Sequence, residues 1–201
     1  MRPWTLLAPL LACGPVVDDE ASTDALVEAP ACTPDVDCLD AGVQRFVSGG
    51  ENRRVTVLLP DEPRGAPVVF AWHYLGGSPD ELITWMQLER VAEAGYIVVV
   101  PKSRGLAGTE WDVYDRSDNN VDLALYDDLR DAVLTYHQAD PERLYVTGFS
   151  AGALFTTWLT MHRGADLAAS APFSGGTPAV SYTTPDKTFP VMVTWGGPSD
   201  V

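Results

Sequence analysis

The sequence predicts an α/β fold in which a mostly parallel sheet is covered by helices on both faces. Pro67 to Trp72 and Tyr96 to Val100 are continuous apolar runs, as expected of strands buried on both sides. Stretches with helical spacing alternate with them, the pattern of a parallel sheet with helical crossovers. Between an apolar strand-like run and an apolar helix-like run lies Gly148-Phe149-Ser150-Ala151-Gly152, a Gly-x-Ser-x-Gly pattern.

The first residues read as a targeting segment. Met1-Arg2 is a short basic start and Trp4 to Ala12 is almost wholly apolar. That run is too short to span a membrane and suits the apolar region of an export signal over residues 1–12. The small residue before Cys13 resembles the lipobox of bacterial lipoproteins, where the cysteine becomes the lipid-bearing N-terminus. A plain secretory signal and a misassigned start codon are the alternatives. Export lets Cys32 and Cys38 oxidise to a disulfide that braces a short turn; two free thiols are the other possibility. Residues 13–40, rich in acidic residues and proline, read as a tether to a domain over 41–201.

Within that domain, Val43 to Ser48 and Arg53 to Leu59 are β-prone runs joined by a turn-rich loop over 48–52, hence a hairpin. Pro67 to Trp72 is the next strand. Ser78-Pro79-Asp80-Glu81 opens a helix, with Ser78 as N-cap and Glu81 completing a capping box. That helix is expected to run to about Ala94 and stop at Gly95. Tyr96 to Val100 is a strand ended by Pro101, and a loop with Trp111 and several charges follows. Val121, Leu125, Leu129 and Val133 predict a helix over Val121 to Gln138. Arg143 to Thr147 is a strand, Ala151 to His162 a helix, and Ala168 to Pro172 and Pro190 to Thr194 two more strands.

The serine pattern carries the chemistry. A tight strand-to-helix turn forces the serine into a strained backbone and lifts its hydroxyl out of the sheet. Small residues must flank it, because side chains there meet the strand and helix; Gly148 and Gly152 supply them. The helix N-terminus beneath adds positive potential. In such a turn the N–H after the nucleophile, here Ala151, forms half of an oxyanion hole. The other half comes from the loop after an earlier strand, His73-Tyr74-Leu75-Gly76-Gly77, through the N–H of Leu75 or Gly76. His73, which precedes the nucleophile, reads as a support for that loop and not as the base.

The runs His73-Tyr74-Leu75-Gly76-Gly77-Ser78 and Gly95-Tyr96-Ile97-Val98-Val99-Val100-Pro101 are informative together with Asp140-Pro141-Glu142-Arg143-Leu144-Tyr145-Val146-Thr147-Gly148-Phe149-Ser150-Ala151-Gly152. Over about residues 53 to 201 they resemble the polyhydroxybutyrate depolymerase and feruloyl esterase group of α/β-hydrolases. That group usually has His-Gly where this chain has His73-Tyr74, and often a glycine where Ala153 stands. The resemblance implies Ser150 as nucleophile and places the triad acid at Asp200, on a loop after Pro190 to Thr194. Chain order in this fold is serine, acid, histidine. None of the three histidines, His73, His137 and His162, follows Asp200. The expectation is therefore a partial α/β-hydrolase domain lacking its C-terminal helix–strand–histidine segment.

Composition bounds the function. Hydrophobic residues make up 46% and charged residues 20%, ordinary for a globular chain. A net charge of −15 disfavours nucleic acid as a partner. The expected activity is hydrolysis of small-molecule or polymeric carboxylic esters, such as polyester or feruloyl esters, with no cofactor and no metal, and with membrane contact only through the lipid anchor. A non-catalytic lipoprotein binding polymer or carbohydrate through Tyr74, Trp111, Tyr114 and Trp195, aromatics that read equally as core, and a peptidase on the same fold are the alternatives.

Overall fold

The computed structural model describes residues 38–105, 110–115, 119–177, 183–185 and 187–197. The expectations for Cys13, Cys32 and Asp200 lie outside these residues. Cys38 is disulfide-bonded.

Six strands form one sheet: β1 (Gly42–Ser48), β2 (Glu51–Leu58), β3 (Val68–Trp72), β4 (Ile97–Pro101), β5 (Leu144–Phe149) and β6 (Ala169–Phe173). Their order is β1-β2-β4-β3-β5-β6. Strand β2 runs antiparallel to β1 and β4, while β4, β3, β5 and β6 are mutually parallel. The β1–β2 connection is tighter than the sequence suggests. Ser48 pairs with Glu51, and Gly49 and Gly50 both take positive φ (58° and 79°), the geometry that matches strand twist in a two-residue hairpin turn.

Side chains of β3 and β4 alternate between two apolar layers. Phe70, Trp72, Ile97 and Val99 face a large core shared with α3 (Val121–Tyr136) and α4 (Ala151–Arg163). Ala71, Val98 and Val100 face a smaller one under α1 (Pro79–Met86) and α2 (Leu88–Glu93). The sheet is therefore covered on both faces. Among the described residues no helix is long and apolar enough to cross a membrane.

The single helix expected from Ser78 to Ala94 is two helices. Ser78 does cap it: its Oγ accepts the Glu81 N–H at 3.3 Å and donates to the Glu81 carboxylate at 3.0 Å. Gln87 then takes a left-handed conformation (φ 53°) and breaks the run. In one straight helix Leu88 falls roughly 120° round the axis from Leu82, off the buried face. The break re-aims the chain so that Leu82 and Ile83 in α1, and Leu88 and Ala92 in α2, all reach the sheet. Pro190 to Thr194 departs from expectation too. It lies beside β6 with Met192 N–H donating to Ser170 O (2.9 Å), but it forms only isolated bridges at Val191 and Thr194. Val191, Met192 and Val193 remain about half exposed, so this segment gains little burial from joining the sheet.

The topology positions a site. From β3 the chain crosses to β4 on one side, and from β5 it crosses to β6 on the other. Strands β3 and β5 are thus neighbours whose connections diverge, the place where open α/β sheets leave a crevice at the carboxyl ends of their strands. Their register pairs Trp72 with Gly148, so His73 and Ser150 emerge side by side.

Candidate active site

Ser150 sits between β5 and α4 with φ 54° and ψ −114°, a region L-residues rarely occupy. Its N–H donates to Phe173 O at 3.0 Å and its carbonyl accepts from Leu154 N–H at 3.0 Å, so the strained residue is tied to β6 and to its own helix. The flanking glycines are steric necessities. A Cβ at Gly152 would lie 1.8 Å from the Trp72 carbonyl oxygen, and one at Gly148 would lie 2.4 Å from the Gly152 carbonyl oxygen. The first turn of α4 rests directly on the end of β3, and nothing larger than hydrogen fits between them. Thr156 Oγ1 donates to Gly152 O at 2.8 Å and steadies that turn.

The neighbouring loop is a type II turn from Tyr74 to Gly77, with Gly77 N–H donating to Tyr74 O at 3.0 Å and Gly76 at φ 73°. His73 is fully buried behind it. Its Nε2 accepts the Ser103 N–H at 3.1 Å, so Nδ1 carries the proton and donates to Tyr74 O at 2.8 Å. Its carbonyl accepts from Trp111 Nε1 at 2.8 Å. Both ring nitrogens are committed to backbone. Burial lowers the His73 pKa from 6.5 and outweighs the Tyr74 bond that raises it; Lys102 lowers it further.

Three residues without a sequence signal complete the loop's support. Glu110, 5% exposed, accepts the Gly76 N–H on Oε2 at 3.2 Å and holds the Ser103 hydroxyl and Lys102 Nζ (3.4 Å) on Oε1. Lys102 Nζ also donates to Gly77 O at 2.7 Å. Burial on its own would raise the Glu110 pKa; the bonds from Ser103 and Gly76 and the charge of Lys102 reverse that and hold the carboxyl below its usual range. Gly76 N–H is thereby spoken for. Among the described residues the N–H groups of Leu75 and Ala151 make no hydrogen bond.

Beside Ser150 lies an apolar cleft of about 360 Å³, lined by Leu82, Trp85, Met86, Phe149, Phe173 and Thr194. Trp85 is 61% exposed and stacks on Tyr74 with ring centres 4.8 Å apart and planes 1° from parallel. Of the aromatics named as a possible binding surface, Trp111 is not one. It is fully buried against Trp72 and Phe155, because its indole N–H is spent on His73 O. Tyr114 and Trp195 are exposed, and Trp85 is the member the sequence did not single out. A larger cavity of about 530 Å³, lined by Gly42, Leu58, Pro60 and Glu93, lies at the opposite end of the sheet. Among the described residues no group of His, Cys, Asp and Glu is placed to hold a metal ion.

No histidine contacts the Ser150 hydroxyl among the described residues. His137 Nε2 faces Leu39 O at 3.0 Å, and the His162 ring packs on Trp158 at 4.4 Å.

Two outcomes follow from this geometry. Gly152→Ala must lift α4 from β3 and is expected to cost about 3 kcal/mol or more in urea unfolding, whereas Gly176→Ala, with nothing within 4 Å of its new methyl, should unfold like wild type; equal midpoints for both variants would refute the close approach. Folded His73 refuses a proton that the unfolded chain accepts, so its contribution to stability is complete above about pH 6.5 and declines as pH falls below it. The urea midpoint should therefore fall more between pH 7.5 and 5.5 in wild type than in His73→Asn, and equal falls would contradict this.

The family comparisons fit this arrangement. The profile of the prolyl oligopeptidase family (peptidase S9) matches residues 84–189. Feruloyl esterase B of Thermothelomyces thermophilus is 28% identical over 136 residues, 61% of this chain and 45% of that protein. Probable acetylxylan esterase A of Neosartorya fischeri is 26% identical over 151 residues, 72% of this chain and 41% of that protein. The chain thus spans about half the length of the curated relatives it matches. Acetyl xylan esterase from Aspergillus awamori superposes with a TM-score of 0.57 at 21% identity, over 68% of this chain and 53% of that one. The fold is that of the α/β-hydrolases, and the chain belongs to the prolyl oligopeptidase family.

Proposed function

We propose that the protein is a serine hydrolase of carboxylic esters. The observation that carries this reading is the backbone of Ser150: φ 54° at the head of α4, between two glycines that no other residue can replace. A chain stores such strain where it aims a functional group. The curated relatives that are named as feruloyl and acetylxylan esterases support ester over amide substrates.

In the proposed reaction Ser150 Oγ attacks the ester carbonyl. The N–H groups of Ala151 and Leu75 receive the charge that develops on its oxygen, and the alcohol leaves. Water then releases the acid from the acyl-serine. Asp200 is the proposed acid that orients a histidine base, which takes the Ser150 proton and passes it to the departing alcohol, then takes a proton from the attacking water and returns it to Ser150. His73, His137 and His162 are engaged elsewhere, so turnover by the described residues alone is expected to be slow. The cleft of Trp85, Met86, Phe149 and Phe173 suits an apolar or aryl acyl group. Export, with lipid on Cys13 as the anchor to a bacterial envelope, belongs to the same proposal.

The stack of exposed Trp85 on half-buried Tyr74 favours a second reading, a lipoprotein that binds polymer or carbohydrate without cleaving it. One comparison separates the two. Hydrolysis of p-nitrophenyl acetate is expected to fall to the uncatalysed rate in Ser150→Ala. Turnover equal in wild type and variant would overturn the hydrolase reading, and polymer binding that persists without any turnover in either would support the second.

A further inference from the structure

The two N–H groups proposed to receive the oxyanion are held in different ways. The first turn of α4, which carries the Ala151 N–H, is pressed against the end of β3: a Cβ at Gly152 would lie 1.8 Å from Trp72 O and 2.8 Å from His73 O. The Leu75 N–H comes from a loop outside any helix or strand. Its direction has to be set by side chains or by the turn itself.

The Leu75 N–H shares a peptide with Tyr74 O. A trans peptide points the two in opposite directions, and none of the described peptides is cis. Whatever holds Tyr74 O therefore aims the Leu75 N–H. Gly77 N–H holds it at 3.0 Å, but it belongs to the turn and moves with it. His73 Nδ1–H holds it at 2.8 Å from a ring that is fully buried and whose Nε2 accepts the Ser103 N–H at 3.1 Å, two residues past β4. The imidazole thus bridges the backbone of Ser103 and the Tyr74–Leu75 peptide. The bridge has a direction. A neutral imidazole has one N–H and one bare nitrogen, and the Ser103 N–H requires the bare nitrogen to be Nε2. In the other tautomer two N–H groups would meet at Ser103, and two lone pairs would meet at Tyr74 O.

We infer that His73 is a positioning residue for the oxyanion hole: its Nδ1 proton, kept there by the Ser103 N–H on Nε2, holds Tyr74 O and so aims the Leu75 N–H, with that of Ala151, at the carbonyl oxygen of an ester on Ser150. The inference rests on the hydrolase reading. The proton on this histidine is held and not transferred, which sets its role apart from that of a base.

Two substitutions separate the bond from the bulk of the ring. His73→Leu removes both ring bonds. His73→Asn also loses the bond from Ser103, but its amide nitrogen is attached to Cγ as Nδ1 is and can still donate to Tyr74 O. In steady-state hydrolysis of p-nitrophenyl acetate, kcat should fall roughly ten- to a hundredfold in His73→Leu with KM within about twofold, because an oxyanion donor acts on the transition state and not on the bound ester. His73→Asn should recover kcat to within about fivefold of wild type. Amide exchange at Gly77 should quicken about three- to tenfold in His73→Leu and less in His73→Asn, as the turn loses its outside anchor. Equal losses of kcat in the two variants, no loss in either, or a KM rise at constant kcat would overturn the inference. Ring-nitrogen NMR of the wild type should find the His73 proton on Nδ1; a proton on Nε2 would overturn the inference without any variant having to fold. A wild type that hydrolyses nothing would defeat the hydrolase reading and the catalytic role with it, while the tautomer and the Gly77 exchange would still decide whether His73 clamps the turn.

Discussion

The approach of Gly152 to the carbonyl oxygen of Trp72 is the constraint from which the site follows. An added methyl would stand 1.8 Å from that oxygen, so α4 begins where β3 ends, with no room for a looser connection. A chain leaving β5 and entering α4 within that space has to pass through a left-handed residue, and Ser150 is that residue. Strain of this kind costs about 1–3 kcal/mol. Burial of Phe155 and Trp158 along α4, and of Trp72 and Trp111 beneath it, offsets that cost, with Trp72 and Phe155 meeting edge to face at 4.7 Å. The packing that stabilises the fold and the geometry that presents the hydroxyl are thus one arrangement.

A second layer stands behind the elbow. His73, Ser103, Glu110 and Trp111 are all buried, and between them they bind His73 O, Tyr74 O, the Gly76 N–H and the His73 ring. This polar layer is in turn anchored away from the site. Asn120 caps α3 and holds Asp112 O and Asp115 O at 3.1 and 2.7 Å, while Asp122 takes the Asp112 N–H and pairs with buried Arg53 at 2.8 Å. Donors fixed before substrate arrives need no reorganisation when charge develops, which is where oxyanion stabilisation gains its strength.

Local chemistry explains what could be read from the sequence. The elbow was legible because its cause is contained in five residues: two glycines, a serine, and apolar runs on either side. The strands of β3 and β4 were legible because burial on both faces leaves no polar position. Gln87 was not, since its left-handed break occurs at a residue other than glycine and is imposed by how Leu88 and Ala92 must face the sheet. Glu110 was not, because its meaning lies in Gly76, 34 positions away, and a single acidic residue in a charged loop has no pattern. Trp111 read equally as a surface or a core aromatic for the same reason. Its partners, Trp72, His73 and Phe155, come together only in the folded chain.

The central claim is that the fold makes Ser150 a nucleophile. Its most direct test is to treat the protein with a fluorophosphonate and locate the adduct by peptide mass spectrometry. The account predicts one covalent adduct, on Ser150, absent from protein unfolded in urea before treatment because the elbow is then lost. No adduct on the folded protein, or an adduct on Ser150 of equal yield when folded and unfolded, would contradict it.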